Sequence, residues 1–183
     1  MENIYYAWDP LEEWDESAFL RRNSAYSKNI QHAEFQHMVI SSMFHKSFMG
    51  LSQSDILIQE RSMDAAFQVF TKSNVKNSTS IDLLKYSYNR LKQSLEHAFS
   101  VKKFIIYLRV PPHIAFTRAS NFSEQYINTI NDSYEEWLRL SSTDSSVINI
   151  DASRDIEQVT KDVIKEVTSI IQPKRLAPKK LFY

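Results

Sequence analysis

The chain has 183 residues, 43% of them hydrophobic, and its 22 basic and 22 acidic side chains give a net charge of zero at pH 7. This composition predicts a globular chain with a substantial core and implies no general attraction to nucleic acid or membrane surfaces. The absence of cysteine excludes disulfides, thiolate metal sites and a cysteine nucleophile. Without a bilayer-length apolar run or a signal-like start, we expect a cytoplasmic protein with no nucleic-acid or membrane partner.

Glycine is nearly absent, since Gly50 is the single glycine of the sequence. Loops that wrap phosphate groups with backbone N–H groups need glycines for tight turns and for close approach. Neither G-x-x-x-x-G-K-[ST] nor G-x-G-x-x-G occurs in the sequence. We therefore expect no ATP phosphate loop in this chain, and we expect Gly50 to end a helix.

Four short apolar runs predict β-strands, at residues 3–8, 56–58, 103–110 and 147–150. The third run is apolar enough to predict a central strand that is covered on both faces. Apolar residues at helical spacing predict helices at about residues 31–48, 63–70, 81–99, 113–118, 123–140 and 156–171. Residues 11–20 favour a short helix or a loop with helical turns. Ser80 and Asp82 are candidate caps for the helix at 81–99.

Strands that alternate with helices at this spacing predict an α/β fold with three layers, in which a parallel sheet has helices on both faces. We expect one domain over residues 1–172. A basic, mobile tail is expected at residues 173–183.

Charged side chains follow the second predicted strand directly, as Glu60-Arg61-Ser62. In open α/β sheets, ligands bind just beyond the carboxyl ends of the strands, so this triplet is placed where chemistry occurs. The simpler interpretation is that Glu60 and Arg61 pair on the surface of a strand-to-helix connection. The triplet alone leaves both interpretations open.

Five segments, in this order, resemble the deoxynucleoside kinase family, the thymidine and deoxycytidine kinase-like group of P-loop enzymes. They are Asp9-Pro-Leu-Glu-Glu-Trp14, Phe35-Gln36, Glu60-Arg61-Ser62 followed by Phe70, Ile105-Ile-Tyr-Leu-Arg109 followed by Pro112, Ala115 and Arg118, and Glu135-Glu-Trp-Leu138. Together they cover nearly the whole chain. The resemblance implies a P-loop kinase-like fold, but the family's first strand and phosphate loop have no counterpart here, and its arginine-rich lid is reduced to Arg118.

The resemblance also implies roles for individual residues. Asp9 stands where the family has the carboxylate that takes the proton from the nucleoside 5′-hydroxyl, although its shorter side chain limits its reach. Arg61 would hold the 5′-oxygen or phosphate side. The substrate-binding candidates are Trp14 and Phe70 against the base, Gln36 at the base edge, Tyr26 at the sugar 3′-hydroxyl, and Glu60, Met43, Ala66 and Arg118.

Structural alternatives stand beside these roles. Asp9 followed by proline also suits a turn, Trp14 and Phe70 also suit a core, and Gln36 also suits an ordinary polar position on a helix. Met43 and Ala66 resemble the thymidine-accepting branch, since the deoxycytidine and purine-preferring branch tends to carry Arg and Asp there. A pyrimidine deoxynucleoside is therefore the expected ligand.

Three functions remain open at this point. The first is a deoxynucleoside kinase-like protein that keeps a nucleoside pocket without an ATP site and acts as a non-catalytic binding, structural or interaction protein. The second is part of an active thymidine-type kinase whose phosphate loop lies outside this chain. The third is an assembly protein unrelated to nucleotides. We expect no cofactor, with ATP and Mg²⁺ required only in the second case, and we expect a homo- or hetero-oligomer.

Overall fold

The structure is a computed structural model that describes residues 3–9, 14, 28–119, 122–141 and 146–171. The elements in chain order are β1 (Ile4–Ala7), α1 (Lys28–Gln53), β2 (Ile56–Gln59), α2 (Met63–Ala65), a π-helix (Ala66–Thr71), α3 (Lys72–Asn74), α4 (Ser78–Ala98), β3 (Phe104–Arg109), α5 (Pro112–Arg118), α6 (Glu124–Ser141), β4 (Ser146–Asp151) and α7 (Ile156–Ile171). The predicted strands and longer helices are therefore present. The predictions for residues 11–20, except Trp14, and for the tail at 173–183 lie outside the described residues.

All described strands pair in parallel, which confirms the α/β class. Strand β1 pairs with β2, with Ile4 opposite Ile56 and Ala7 opposite Gln59. Strand β3 pairs with β4 from Phe104 opposite Ser146 onward. Within the described ranges these are two separate two-stranded sheets, whereas we expected one sheet with β3 at its centre. The expectation that β3 is covered on both faces is also wrong, since none of its residues is fully buried and Leu108 is 47% exposed. Apolar composition does not specify which elements lie beside a strand.

The chain divides into two compact units. The first comprises residues 1–102 and 128–140, and the second comprises residues 103–127 and 141–183. The core of the first unit packs α1 against the helices that follow β2, and Phe67 stacks on Tyr88 with ring centroids 4.5 Å apart. Its buried members are Trp14, Val39, Ile40, Met43, Met63, Ala66, Phe67, Val75, Leu84 and Tyr88. None of the described helices is both long and apolar enough to cross a membrane.

Helix α1 is longer than predicted, because Gly50 does not end it. The helix continues to Gln53, and Gly50 is buried within it. A Cβ atom at Gly50 would lie 2.7 Å from Leu57 Cδ1 and 2.9 Å from Tyr5 Cδ1. The glycine is therefore required by the close approach of α1 to the β1–β2 sheet, and not by a left-handed cap.

The segment after β2 contains a π-helix where we predicted a continuous α-helix. The side chain of Ser62 accepts a hydrogen bond from Ala65 N and caps α2, and the π-helix follows directly at Ala66–Thr71. In a π-helix the backbone hydrogen bonds span five residues instead of four. The wider turn changes which side chains face α1, and short π-helical turns occur frequently at functional sites.

Helix α4 begins three residues earlier than predicted, and its cap is a different residue. The side chain of Asn77 accepts a hydrogen bond from Ser80 N, and Asn77 has the extended backbone typical of an N-cap. Ser80 and Asp82, the predicted caps, both lie inside the helix. Asn and Ser are comparable cap residues, so composition alone did not distinguish them.

We expect Gly50→Ala to destabilise the protein. Overpacking costs about 1–3 kcal/mol, whereas the better helix propensity of alanine returns about 1 kcal/mol, so the free energy of unfolding should fall by about 1 kcal/mol. Urea denaturation measures this change. The same substitution should cost less in a Leu57→Ala background, where the nearest atom has been removed. An equal cost in both backgrounds would show that the close contact with Leu57 is not the cause.

We expect Asn77→Ala to lower the free energy of unfolding by about 1 kcal/mol, because the first turn of α4 loses its side-chain cap. Ser80→Ala is the matched control, and it should change stability by no more than about 0.5 kcal/mol. Both values can be measured by thermal or urea denaturation. If the two variants lose the same stability, the assignment of Asn77 as the cap is wrong.

Candidate functional site

The register of the first sheet brings Asp9 and Arg61 together. Because Ala7 lies opposite Gln59, two further residues along each parallel strand place Asp9 beside Arg61, just beyond the carboxyl ends of the strands. Arg61 Nη2 lies 3.1 Å from Asp9 Oδ2. The connection is reinforced at Glu60, whose side chain accepts a hydrogen bond from Asp9 N at 3.2 Å.

The carboxylate of Asp9 is buried, with only 3% of its side chain exposed. Burial raises the pKa of Asp9 above its ordinary value and Glu60 raises it further, whereas Arg61 and Lys46 act in the opposite direction. Its second oxygen, Oδ1, is buried and has no hydrogen-bond partner within the described part of the chain. Such an atom is rare in folded proteins, because an unpaired buried acceptor costs free energy. Oδ1 therefore lacks the hydrogen bond that a buried carboxylate oxygen usually accepts.

The guanidinium of Arg61 also lies against two aromatic rings. Its Cζ atom is 4.5 Å from the centroid of Phe70 and 5.7 Å from the centroid of Trp14. Both distances are within the range of cation–π contacts. Phe70 in turn meets Tyr134 edge-on, at 6.0 Å between centroids. Arg61 thus connects one acidic and two aromatic candidate residues, and its own side chain remains 30% exposed.

Gln36, Met43 and Ala66 lie on α1 and on the π-helix that packs against it. All three are buried, and Ala66 is fully so. The amide oxygen Oε1 of Gln36 lies 3.4 Å from the hydroxyl of Thr71, the residue after Phe70. Gln36 therefore contacts the end of the π-helix that also carries Phe70, and Met43 and Ala66 are members of the core cluster itself.

Trp14 is held by its indole N–H, which donates to Ser42 Oγ at 3.1 Å. The Ser42 hydroxyl in turn donates to the carbonyl of Val39 on α1. This contact fixes the edge of the indole against α1 and leaves its face toward Arg61. Trp14 is consequently a core residue, as the structural alternative predicted, and it also lies beside the Asp9–Arg61 pair. Its proposed contact with a base stays a prediction.

Two predicted site residues do not belong to this group of contacts. Tyr26 lies outside the described residues. Arg118 belongs to the second unit, where its guanidinium donates to the backbone carbonyls of Ala152 at 2.6 Å and Ser153 at 2.9 Å, with a longer contact to Arg154 at 3.3 Å. There Arg118 holds the connection that follows β4.

Sequence reasoning missed Thr71 and the role of Lys46. Thr71 is fully buried, yet its hydroxyl contacts both Gln36 and the carbonyl of Ala66. Lys46 donates to the carbonyl of Trp8 at 2.9 Å and contributes positive charge near Asp9. Helical spacing places Met43 and Ser47 on the same face of α1 as Gln36. Lys46 is on a different face, so this pattern did not indicate it. No group of three or more potential metal ligands occurs among the described residues.

We expect Arg61→Gln to make stability strongly dependent on pH. Without Arg61 the pKa of Asp9 rises further, so the protonated carboxyl is favoured in the folded state. The free energy of unfolding should then be retained at pH 4 and fall as the pH rises through the pKa of Asp9, with a loss at pH 7 of about 1–3 kcal/mol relative to the parent. Urea denaturation at both pH values measures the difference.

The exposed Arg90 provides the control for this experiment. Arg90→Gln removes the same charge from the surface of α4, and it should give no comparable pH-dependent loss. Arg61→Lys keeps a charge near Asp9 and should lose less than Arg61→Gln. A loss in Arg61→Gln that is equal at pH 4 and pH 7 would mean that Asp9 does not depend on Arg61.

Comparison with known proteins identifies the family of this chain. The model of the deoxynucleoside kinase family matches residues 6–172. The chain is also similar to a thymidylate kinase of Plasmodium falciparum (isolate 3D7), with 40% identity over 68 residues. Those residues are 36% of this chain and 32% of that protein, so the match spans about a third of the length of the curated relative.

Solved structures share the fold. A deoxyadenosine kinase from M. mycoides, with the products dCMP and a flexible dCDP bound, superposes with a TM-score of 0.63 and 20% identity over 90% of this chain and 86% of that chain. A structure of the same enzyme with bound dATP gives a TM-score of 0.54 and 16% identity over 92% and 100% of the two chains. The P-loop kinase-like α/β fold and the match along nearly the entire sequence lead to one conclusion, that this chain belongs to the deoxynucleoside kinase family.

Proposed function

We propose that this chain binds a pyrimidine deoxynucleoside beside the Asp9–Arg61 ion pair, with Trp14, Gln36 and Phe70 as the other ligand-binding residues. The observation that carries the proposal is the Oδ1 atom of Asp9, which is buried and unpaired within the described residues. A buried acceptor that no protein donor satisfies is a suitable partner for a ligand hydroxyl. The 5′-hydroxyl of a nucleoside is such a donor.

The charged pair has the chemistry of a proton acceptor with a neighbouring anion site. Burial raises the pKa of Asp9, and a base with a pKa nearer to the working pH is more effective than an unperturbed carboxylate. Arg61, at 3.1 Å from the other carboxylate oxygen, would hold Asp9 in place and present remaining N–H groups to the 5′-oxygen. Asp9 is thus a hydrogen-bond acceptor for the 5′-hydroxyl in the bound state.

The nucleobase would lie against the aromatic side of the cluster. Arg61 lies over one face of the Phe70 ring, so a base would stack against the other face. Gln36 supplies an amide that both donates and accepts, as the edge of a pyrimidine requires. Met43 and Ala66 carry no charge, so they add no group suited to the larger polar edge of a purine.

We further propose that this chain does not transfer phosphate from ATP when acting alone. Phosphoryl transfer requires that the triphosphate is held by backbone amides, a lysine and a bound metal ion. The sequence has one glycine, and that glycine is buried in helix α1 against Tyr5 and Leu57. In this proposal the chain serves as a nucleoside-binding or interaction member of its family.

We expect calorimetry to detect binding of thymidine, and to detect no binding of ATP in a separate titration. Phe70→Ala should weaken thymidine binding about tenfold, because the base loses its stacking partner. Tyr86→Ala is the matched control, since Tyr86 is a largely exposed aromatic residue on α4 in the same unit. If thymidine and deoxycytidine both fail to bind the parent protein, the proposed function is wrong.

A second function is favoured by the state of Asp9, whose buried oxygen and raised pKa suit a general base. A kinase completed by a phosphate loop outside this chain would use that base. An assay of the purified chain with thymidine, ATP and Mg²⁺ tests whether this chain transfers phosphate without such a loop. We expect no thymidine monophosphate. Product formation that is lost in Asp9→Asn would establish the kinase instead.

A further inference from the structure

Thr71 occupies an unusual position beside the proposed base-recognition residue. It ends the π-helix and is fully buried. Its hydroxyl oxygen lies 3.4 Å from Oε1 of Gln36 and 3.1 Å from the carbonyl oxygen of Ala66. A hydroxyl has one proton and two acceptor lone pairs, so at any moment Thr71 donates to one of these two oxygens and can accept from a third group.

The amide of Gln36 can satisfy this hydroxyl in two orientations. With Oε1 toward Thr71, the hydroxyl donates to Gln36, as the contact in the structure indicates. With the amide turned over, Nε2 donates to Thr71 Oγ1, and the hydroxyl proton goes to the carbonyl of Ala66 instead. The two ends of a side-chain amide are nearly identical in size, so both arrangements fit the same space and keep the Thr71 hydroxyl hydrogen-bonded.

We propose that Thr71 is a specificity-determining residue whose hydroxyl allows Gln36 to recognise both thymine and cytosine. This inference rests on the proposed nucleoside site. It assigns the breadth of base recognition to the hydroxyl behind the glutamine, and it makes Thr71 a positioning residue that does not itself touch the ligand.

The chemistry of the two bases requires such an adjustment. Thymine presents an N3–H donor next to the O4 acceptor, whereas cytosine presents an N3 acceptor next to an amino donor. The two edges therefore have the opposite order of donor and acceptor. A glutamine that is fixed in one orientation matches one base and opposes the other, since a mismatched polar pair leaves buried groups unsatisfied. A glutamine that can turn over matches both.

Replacing the hydroxyl with a methyl group should remove this freedom. In Thr71→Val the residue keeps its shape but offers no polar atom to Gln36. Turning Nε2 toward the new methyl group would bury an unpaired N–H, which is less tolerated than an unpaired carbonyl oxygen. The amide should therefore keep Oε1 toward residue 71, so that one donor–acceptor order is presented to the ligand.

Calorimetric titration of thymidine and deoxycytidine tests the inference. The parent should bind both, with dissociation constants within about threefold of one another. In Thr71→Val the ratio of the two constants should change by about tenfold or more, because one base loses its match. Thr71→Ser keeps the hydroxyl, so its ratio should return to that of the parent. A purely structural role would lower the melting temperature and leave the ratio unchanged, which would overturn the inference.

Two further measurements keep the test decisive. Thr71→Cys, whose thiol is a weak donor and acceptor, should give an intermediate ratio, and it replaces the valine variant if the latter does not fold. In the ligand-free protein, the side-chain amide resonances of Gln36 should shift in Thr71→Val and recover in Thr71→Ser. Unshifted resonances would overturn the inference by themselves.

The outcomes also separate this inference from the proposed function. If the parent binds neither nucleoside, the proposed function fails and the inference fails with it. If the parent binds one base more than about threefold better than the other, or if it binds both and Thr71→Val keeps the parent ratio, the nucleoside site stands. In either of those cases the inference that Thr71 determines base specificity is wrong.

Discussion

The ion pair between Asp9 and Arg61 joins the ends of two parallel strands, and the arrangement of the neighbouring side chains depends on it. Burying a lone carboxylate is costly, and Arg61 offsets that cost at 3.1 Å. The same guanidinium lies against Phe70 and Trp14. Arg61 therefore contacts the carboxylate and both aromatic rings, and its position determines how they are arranged. A shift of β1 relative to β2 by a single residue would separate Asp9 from Arg61.

Much of the fold follows from local sequence patterns. Short apolar runs identified all four described strands, and helix α7 (Ile156–Ile171) has the bounds that its periodicity predicts. The position of Asp9 next to Arg61 follows from the register of β1 and β2, because residues just beyond parallel strands lie at the same edge of a sheet. These features depend on interactions between residues that are close in sequence or in strand register.

The features that could not be predicted depend on contacts between distant segments. Glycine is a common residue at the end of a helix, so the sequence predicted that Gly50 ends α1. In the structure Gly50 lies within the helix, where its small size allows the close contact with Leu57 and Tyr5 on the adjacent sheet. Thr71 lies 35 positions from Gln36, and no local pattern marks a residue whose partner is on another helix. The division into two strand pairs has the same cause, since the apolar content of a strand does not specify which strand lies beside it.

The burial of Gly50 has a mechanical consequence for α1. Gln36 lies fourteen positions before Gly50 on the same helix, which is about 21 Å along the helix axis at 1.5 Å per residue. At Gly50 the backbone of α1 packs directly against the side chains of Tyr5 and Leu57, because the helix has no side chain of its own at this contact. A change at Tyr5 or Leu57 would therefore act directly on the backbone of α1, the helix that also carries Gln36.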